Sequence, residues 1–333
     1  MFVPIVVSAA VISAALCAAL RPVLLRYALA RTNARSSHRE PTPQGAGIAV
    51  IAATVVTIAV SVRWIGTADP ADVTHLWSVL AATIFVAVVG AVDDIRTITV
   101  MPRLMLQALA VAAVIAALPT ELRVLPLLPW WLERALLLVV GIWFVNLVNF
   151  MDGIDWMTVA EVVPITTGLV VLGLLGALPV YGTIAALALL GAVIGFAPFN
   201  RPVARLFLGD VGSLAIGLLV GWLLVLLAGR GHIAAALLLP LYYLADATIT
   251  LMQRLINGQK VWQAHRTHFY QRATDNGLTV VDVVSRVFAV NLMLAGLSVV
   301  VALLDTPAAS AIALVIGSLT VAWLLASFVR KQK

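Results

Sequence analysis

The sequence predicts an all-α, polytopic membrane protein of about ten or eleven transmembrane helices, with its N-terminus outside and its C-terminus in the cytoplasm. Of its 333 residues, 62% are hydrophobic and 11% are charged, whereas soluble domains average about half apolar and a quarter charged. Apolar runs of about 20 residues, the length needed to cross the hydrocarbon core, recur along the chain. We therefore expect residues 1–333 to form a single integral membrane domain without a large soluble insertion.

Eleven apolar runs are long enough to be transmembrane helices. The sixth and seventh runs are joined tightly at Pro179, so a count of ten is an alternative. The segment LLPWW at 127–131 is expected to lie at the membrane interface, where tryptophan is enriched. The single cysteine, Cys17, excludes an intrachain disulfide. The runs cover residues 2–20, 44–62, 76–92, 104–119, 135–151, 158–177, 179–197, 211–228, 231–252, 283–304 and 308–328.

The distribution of positive charge predicts the orientation. When the loops are numbered outward from the first run, 17 of the 21 lysines and arginines fall on one side and 4 on the other. Because cytoplasmic loops carry an excess of Lys and Arg, the rich side is assigned to the cytoplasm. Basic loops of this kind report orientation or anionic headgroups, and we expect no nucleic-acid binding. No Lys or Arg precedes Arg21, so the first run is expected to be a retained helix rather than a signal peptide.

Two acidic motifs close apolar runs on the predicted cytoplasmic side. GAVDDIRT, residues 90–97, places Asp93 and Asp94 side by side at a helix end. Adjacent carboxylates repel each other unless a cation or a donor lies between them, and Mg²⁺ prefers such ligands; a solvated pair is the alternative. NFMDGIDW, residues 149–156, spaces Asn149, Asp152 and Asp155 three residues apart, as on one helix face. A polar face packed against neighbouring helices is the alternative there.

Two further carboxylates lie near or within apolar runs. In FLGDVGSL, residues 207–214, Asp210 stands where the eighth run begins. Its neighbouring glycines would let the backbone approach a phosphate at the helix N-terminus, with Asp210 as a metal ligand; helix capping by Asp210 is the alternative. Asp246 lies inside the ninth run, where a carboxylate is either functional or paired with a loop arginine such as Arg254.

A basic motif follows the ninth run. HRTHFYQR, residues 265–272, contains His265, Arg266, His268 and Arg272. Two histidines three apart suit zinc, but the loop offers no cysteine to complete such a site. Beside arginines, they are better explained as donors to a phosphate group; a basic loop lying on anionic lipid is the alternative. His38, in SSHREPTPQGAGIAV at 36–50, is in a position to steer an anionic substrate, unless this segment is a plain connector.

Taken in order, these motifs resemble those of the polyprenyl-phosphate N-acetylhexosamine-1-phosphate transferase family. The matching pieces span residues 36–272, most of the chain. The family includes the phospho-MurNAc-pentapeptide translocase and the enzymes that initiate O-antigen and teichoic acid. The resemblance implies transfer of a sugar 1-phosphate from a UDP-sugar to undecaprenyl phosphate, with release of UMP, in the bacterial inner membrane with the active site facing the cytoplasm. It also implies a requirement for Mg²⁺, with Mn²⁺ as a substitute, and a homodimer is an option.

The resemblance also implies roles for individual residues. A general base is not required, because a phosphate monoester has a second pKa of about 6 and is largely dianionic at pH 7; if one is used, Asp94 is favoured. By the family pattern, the catalytic residues are Asp93, Asp94, Asp152, His265 and His268, the metal ligands are Asp210 and Asp152, and the substrate-binding residues are His38, Arg103, Asn149, Asp155, Arg266 and Arg272.

The sequence departs from the cell-wall translocase in its histidine motif. It reads HRTH where that enzyme carries consecutive histidines, and Arg103 replaces a lysine. NFMDGIDW followed by HRTHFYQR resembles the branch that initiates O-antigen or exopolysaccharide, with an N-acetylhexosamine donor whose sugar stays open. Trp156 replaces the small residue usual after DGID. A phospho-MurNAc-pentapeptide transferase is the alternative within the family, and a secondary transporter is the alternative from another class.

Overall fold

The computed structural model describes residues 2–29, 42–65, 70–260 and 265–331. Within these ranges the chain is helical, and its only β-pairing is two isolated bridges, Leu29 with Pro43 and Gln44 with Phe207. The helices are α1 (Phe2–Tyr27), α2 (Gly47–Ile65), α3 (Pro70–Ile95), α4 (Val100–Ala117), α5 (Trp130–Met151), α6 (Met157–Leu174), α7 (Val180–Phe196), α8 (Asp210–Gly229), α9 (Ile233–Leu238), α10 (Leu241–Ile256), α11 (Phe269–Asp275), α12 (Val280–Leu304) and α13 (Pro307–Val329).

The predicted all-α, polytopic membrane architecture is confirmed. In the described ranges nine helices are long and apolar enough to cross a membrane, and α7 is a tenth, shorter apolar helix. The sixth and seventh runs form separate helices. The run predicted at 231–252 is not one continuous helix, because it breaks into α9 and α10 at Pro240. Proline has no N–H to donate, and its ring clashes with the carbonyl one turn earlier.

The centre of the bundle is formed by α7 and α8. These helices bury apolar side chains on every face, as expected for a helix surrounded by others. The peripheral helices α1, α4 and α13 bury few of their side chains and expose rows of apolar residues instead. In a membrane protein such apolar surfaces face lipid, so α8 stands at the protected centre and carries Asp210 at its first position.

The start of α8 is fixed by two close helix contacts at glycines. A Cβ on Gly90 of α3 would lie 2.4 Å from the carbonyl oxygen of Asp210, and one on Gly47 of α2 would lie 2.2 Å from the backbone nitrogen of Gly212. Small residues let helix backbones approach each other in membranes. These two glycines therefore set the position of Asp210 relative to α2 and α3.

The predicted motifs meet at one end of the bundle, which we call the motif end and define as residues 93–103, 149–158 and 200–213. There the C-terminal ends of α3 and α5 contact the N-terminal ends of α4, α6 and α8 through side-chain hydrogen bonds. The opposite end holds Arg123, which forms an ion pair with Glu133, and a buried hydrogen bond from Trp222 Nε1 to His75 Nε2. Chemically reactive groups are thus concentrated at one end.

Candidate active site

The first part of the site is a bridge between α3, α4 and α8. Arg103 Nη1 lies 2.9 Å from Asp93 Oδ2 and 3.7 Å from Asp210 Oδ2. The second oxygen of Asp93 accepts a hydrogen bond from the backbone N–H of Ile98 at 2.6 Å. The side chain of Asp93 is only 5% exposed, so it is not the solvated pair member that the sequence left open. The side chain of Asp210 is 30% exposed.

Asn149 adds α5 to this bridge. Its side-chain nitrogen donates to Asp210 Oδ1 at 2.8 Å and to Ser213 Oγ at 2.9 Å. Four helices therefore meet around one carboxylate. The prediction that the separate motifs converge holds for Asp93, Arg103, Asn149 and Asp210, which are joined directly by these contacts.

Asp94 occupies a different position from its neighbour. Its two oxygens accept hydrogen bonds from the backbone N–H groups of Asp210, at 2.9 Å, and Val211, at 3.2 Å. These N–H groups are free at the start of a helix, and a carboxylate there is favoured by the helix dipole. A Cβ on Gly209 would lie 2.5 Å from Asp94 Oδ2. Asp94 thus caps α8 and positions Asp210, while a catalytic role for it stays a prediction.

Asp152 follows directly after α5. Its Oδ1 accepts a hydrogen bond from Thr158 Oγ1 at 2.5 Å, and no described residue donates to its other oxygen. Burial raises the pKa of Asp152 to about 7, with smaller contributions from the charges of Asp210 and Asp155, whereas the Thr158 hydrogen bond lowers it. We call Asp93, Asp94, Asp152 and Asp210 the acidic cluster. Such crowding of carboxylates is relieved when a cation binds between them.

Asp155 is placed differently from the sequence expectation of one polar helix face. Because α5 ends at Met151, Asp155 does not continue the face that carries Asn149. It is 5% exposed and accepts a hydrogen bond from the N–H of Ala204 at 3.0 Å. Trp156 next to it, at φ 61°, donates from its indole to Ala197 O at 2.7 Å. These contacts tie the loop after α5 to the loop before α8, and substrate binding by Asp155 stays a prediction.

The histidine segment, residues 265–275, packs on α10. His268 is buried, and its Nδ1 lies 3.2 Å from Asp246 Oδ1. The ring of His265 lies 4.8 Å from that of His268, and its Nδ1 is 3.0 Å from Thr267 Oγ1. Tyr270 donates from its hydroxyl to Phe150 O at 3.2 Å, so the segment contacts the end of α5.

The predicted arginines of this segment are engaged locally. Arg266 pairs with Asp275 at 3.0 Å, and the Arg272 guanidinium lies 5.5 Å from the ring centroid of Phe269. Of the two alternatives for Asp246, pairing with a loop arginine is not found in the described residues, since Arg254 donates to Lys260 O and Asp246 pairs with His268. His38 lies outside the described residues.

Sequence reasoning missed several residues that hold the site. Thr158 supports Asp152, Ser213 supports Asn149, and Asn200 accepts a hydrogen bond from the N–H of Trp156 at 2.8 Å. The one available signal was position, since Thr158 and Ser213 stand in the first turn of α6 and α8, beside the predicted motifs. Hydroxyl and amide side chains are so common at helix ends that this signal is weak.

The donor chemistry of the site fits a magnesium ion. Among the described residues, no three His, Cys, Asp or Glu side chains are arranged as a complete metal-binding group. Magnesium does not need one, because it binds through one or two carboxylates and takes water and substrate phosphate for the rest of its shell. The partly exposed Asp210 and the free oxygen of Asp152 are suitable ligands.

Comparison with known proteins gives consistent relatives. A family model described as glycosyl transferase family 4 matches residues 76–228, the stretch that contains the whole acidic cluster. The chain is 29% identical over 313 residues to a phospho-N-acetylmuramoyl-pentapeptide-transferase of Rhodopseudomonas palustris (strain BisB18), covering 80% of this chain and 83% of the relative. A Streptococcus pneumoniae (strain Hungary19A-6) protein of the same name is 30% identical over 146 residues, covering 42% and 43%.

A relative with a different name matches as well. The chain is 21% identical over 255 residues to a probable undecaprenyl-phosphate N-acetylglucosaminyl 1-phosphate transferase of Bacillus subtilis (strain 168), covering 74% of this chain and 69% of the relative. The predicted family is therefore confirmed. The chain is similar to glycosyl transferase family 4 over residues 76–228 and to polyprenyl-phosphate hexosamine-1-phosphate transferases over most of its length, and it is a multi-pass membrane protein.

Proposed function

We propose that the protein transfers an N-acetylhexosamine 1-phosphate from a UDP-sugar to undecaprenyl phosphate and releases UMP. The observation that carries the proposal is the direct contact of Asp93, Arg103, Asn149 and Asp210 at the motif end. Apolar side chains flank this contact, since Ile95 on α3 and Met101 on α4 are exposed close to it in sequence. A polar site beside a lipid-facing surface suits a soluble donor and a lipid-borne acceptor.

The proposed donor sugar rests on sequence motifs and on the names of two relatives. The combination of NFMDGIDW with HRTHFYQR favours an N-acetylhexosamine for O-antigen, exopolysaccharide or another cell-envelope glycan. The Bacillus subtilis relative is named for an N-acetylglucosaminyl 1-phosphate. A MurNAc-pentapeptide donor is the second candidate, because the Rhodopseudomonas palustris relative with that name matches over 80% of this chain.

The reaction requires two anionic groups to come together. The acceptor phosphate, largely dianionic at pH 7, attacks the β-phosphorus of the donor in line, and the bond from that phosphorus to the bridging oxygen breaks as UMP leaves. Arg103 stands between two carboxylates with 22% exposure, so its guanidinium is available to hold phosphate oxygens by charge-assisted hydrogen bonds. Asp93 and Asn149 orient Arg103 and Asp210, respectively.

The proposed cofactor is Mg²⁺ at Asp210 and Asp152, with Mn²⁺ as a substitute. A divalent ion there would neutralise the diphosphate and stabilise the charge on the leaving UMP. Asp94, through its cap on α8, holds the backbone of Asp210 in place. The proposed ligand set thus joins two helix ends, those of α5 and α8.

We also propose that the motif end faces the cytoplasm of a bacterial inner membrane. The four arginines on the charge-poor side are Arg63, Arg123, Arg134 and Arg230, and each lies at or next to the helix end opposite the motif end. Because positive charge is retained on the cytoplasmic side, the motif end is assigned to the cytoplasm.

Cysteine labelling tests this orientation. In a Cys17→Ala background, Leu127→Cys and Lys260→Cys each place a thiol at an exposed position, at opposite ends of the bundle. An impermeant maleimide is expected to label position 127 in right-side-out vesicles and position 260 only in inside-out vesicles. The reverse pattern, or equal labelling of both positions, contradicts the orientation.

The proposed activity is tested with purified protein, undecaprenyl phosphate, Mg²⁺ and a panel of UDP-sugars. The panel holds UDP-GlcNAc, UDP-GalNAc, UDP-FucNAc, UDP-QuiNAc and UDP-MurNAc-pentapeptide. Mass spectrometry is expected to find a lipid carrying one N-acetylhexosamine phosphate, with UMP in equal amount. Product only from the pentapeptide donor would select the second candidate. No lipid product from any donor, under conditions in which a known family enzyme is active, would refute the function.

A further inference from the structure

The carboxylate of Asp246 is a meeting point of hydrogen bonds inside the bundle. It is fully buried on α10. Its oxygens accept from the backbone N–H groups of Phe269, at 3.0 Å, and Tyr270, at 3.2 Å, and from Nδ1 of His268 at 3.2 Å. On its own helix, the hydroxyls of Tyr242 and Thr250 lie 3.2 and 3.3 Å away.

These contacts attach the histidine segment to α10. The N–H groups of Phe269 and Tyr270 begin α11 and have no partner within that helix. Asp246 supplies the acceptors from a different helix. A buried carboxylate without hydrogen-bond partners is costly. Burial of Asp246 therefore depends on the histidine segment staying docked on α10.

Asp246 also orients the histidines. A carboxylate only accepts hydrogen bonds, so Nδ1 of His268 carries the proton and Nε2 points away from Asp246. The His268 ring lies 4.8 Å from the His265 ring and 5.7 Å from the Tyr270 ring, with which it is stacked. His268 is buried and His265 is partly exposed. Asp246 therefore sets the position of the partly exposed His265 ring through the buried His268 ring.

The other side of the histidine segment contacts the loop that carries Asp152. Tyr270 donates from its hydroxyl to Phe150 O at 3.2 Å. A Cβ on Gly153 would lie 2.1 Å from the same hydroxyl, so a larger residue there would displace Tyr270. The segment is thus held between Asp246 on α10 and the residues on either side of Asp152.

We infer that Asp246 is a positioning residue of the transfer reaction. It docks the histidine segment onto the loop after α5, so that His265 and the acidic cluster act on one substrate. The inference rests on the proposed function for its kinetic consequence, and on the contacts of Asp246 for its structural one. Asp246 does not touch substrate in this account, because it is fully buried.

The test compares Asp246→Asn with Asp282→Asn in the purified, full-length protein. Asp282 also accepts hydrogen bonds at a helix start, from the N–H and hydroxyl of Thr279, but it is exposed and lies outside the site. The first readout, which needs no activity, is the rate of tryptic cleavage after Arg266. Because proteolysis follows local opening, Asp246→Asn is expected to raise this rate about fivefold or more, and Asp282→Asn to leave it unchanged.

The second readout separates kcat from KM. Loss of a contact that acts only in the transition state lowers kcat and leaves KM for the UDP-sugar nearly constant. Asp246→Asn is therefore expected to lower kcat about 100-fold with KM within about threefold. Gly153→Ala displaces Tyr270 without altering Asp246, and it is expected to reproduce both effects. It serves as the deciding variant if Asp246→Asn does not fold.

Three results would overturn the inference. The first is unchanged cleavage and unchanged kcat in the variants, and the second is faster cleavage with an unchanged kcat. The third is a fall in kcat with unchanged cleavage, which would assign Asp246 a direct contact with substrate. If the wild-type protein transfers no sugar phosphate from any donor, the proposed function fails. Cleavage then decides the docking role of Asp246 alone, and the reaction role falls with the function.

Discussion

Asp210→Asn is expected to lower the rate of transfer by about a thousandfold or more, equivalent to about 4 kcal/mol in the activation free energy. Asparagine keeps the size of the side chain and one acceptor oxygen, so the hydrogen bond from Asn149 survives. What disappears is the negative charge that faces Arg103 and that would hold the divalent cation. The expected loss is therefore in kcat, while the protein stays folded. The measurement is the initial rate of UMP release by purified protein.

A matched control for this prediction is Asp305→Asn. Asp305 is exposed at the opposite end of the bundle, with φ 44°, a conformation that asparagine tolerates. Its activity is expected to equal that of the wild type. If Asp210→Asn retains activity within a few-fold of this control, the assignment of Asp210 to the metal and to the acidic cluster is wrong.

Gly90→Ala is expected to damage both stability and activity. The added Cβ would lie 2.4–2.5 Å from backbone atoms of Asp210 and Val211, which cannot rotate aside as a side chain can. Helices α3 and α8 must then separate, and the hydrogen bonds from α8 to Asp94 lengthen. Overpacking of this kind costs about 1–3 kcal/mol. We expect a lower thermal midpoint and, because Asp210 moves relative to Asp93 and Arg103, at least about a tenfold loss of rate.

Gly296→Ala is the control for this prediction. Gly296 also lies within a transmembrane helix, α12, but a Cβ there would meet nothing within 4 Å. Alanine favours helix more than glycine does, so this variant is expected to be at least as stable as the wild type. Equal thermal midpoints and equal rates for the two variants would show that the contact between α3 and α8 does not set the site.

Much of the fold was predictable because lipid constrains the sequence strongly. Each transmembrane helix needs an apolar run of a defined length, and nine such helices are found in the described residues. The orientation predicted from the sorting of arginines stays a prediction. The break at Pro240 was less predictable. Proline is tolerated in transmembrane helices when neighbouring groups satisfy the freed backbone, so sequence alone does not decide between a kink and two helices.

The site was predictable in part. Counting membrane crossings predicts which residues share one end of the bundle. It places Asp93, Asn149 and Asp210 together, because each stands at an end of an apolar run. Which helix ends touch does not follow from counting. The capping of α8 by Asp94 and the docking of His268 on Asp246 both depend on packing between helices far apart in sequence.

Asp155 shows a second limit of prediction from sequence, which concerns local structure. Its three-residue spacing from Asp152 predicts a shared helical face, but α5 ends at Met151. A periodic spacing does not reveal where a helix stops. The contact of Asp155 with Ala204 depends on the loop before α8, which no pattern in the sequence predicts.

The most direct test of the account follows the β-phosphorus of the donor. With a UDP-sugar labelled at that phosphorus, undecaprenyl phosphate and Mg²⁺, we predict that the label enters the lipid fraction as UMP appears in equal amount. Removal of divalent cations should stop the transfer, and added Mg²⁺ should restore it. Release of labelled UDP, with an unlabelled sugar on the lipid, would contradict phosphosugar transfer. Undiminished transfer after removal of divalent cations would contradict the proposed cation site at Asp210 and Asp152.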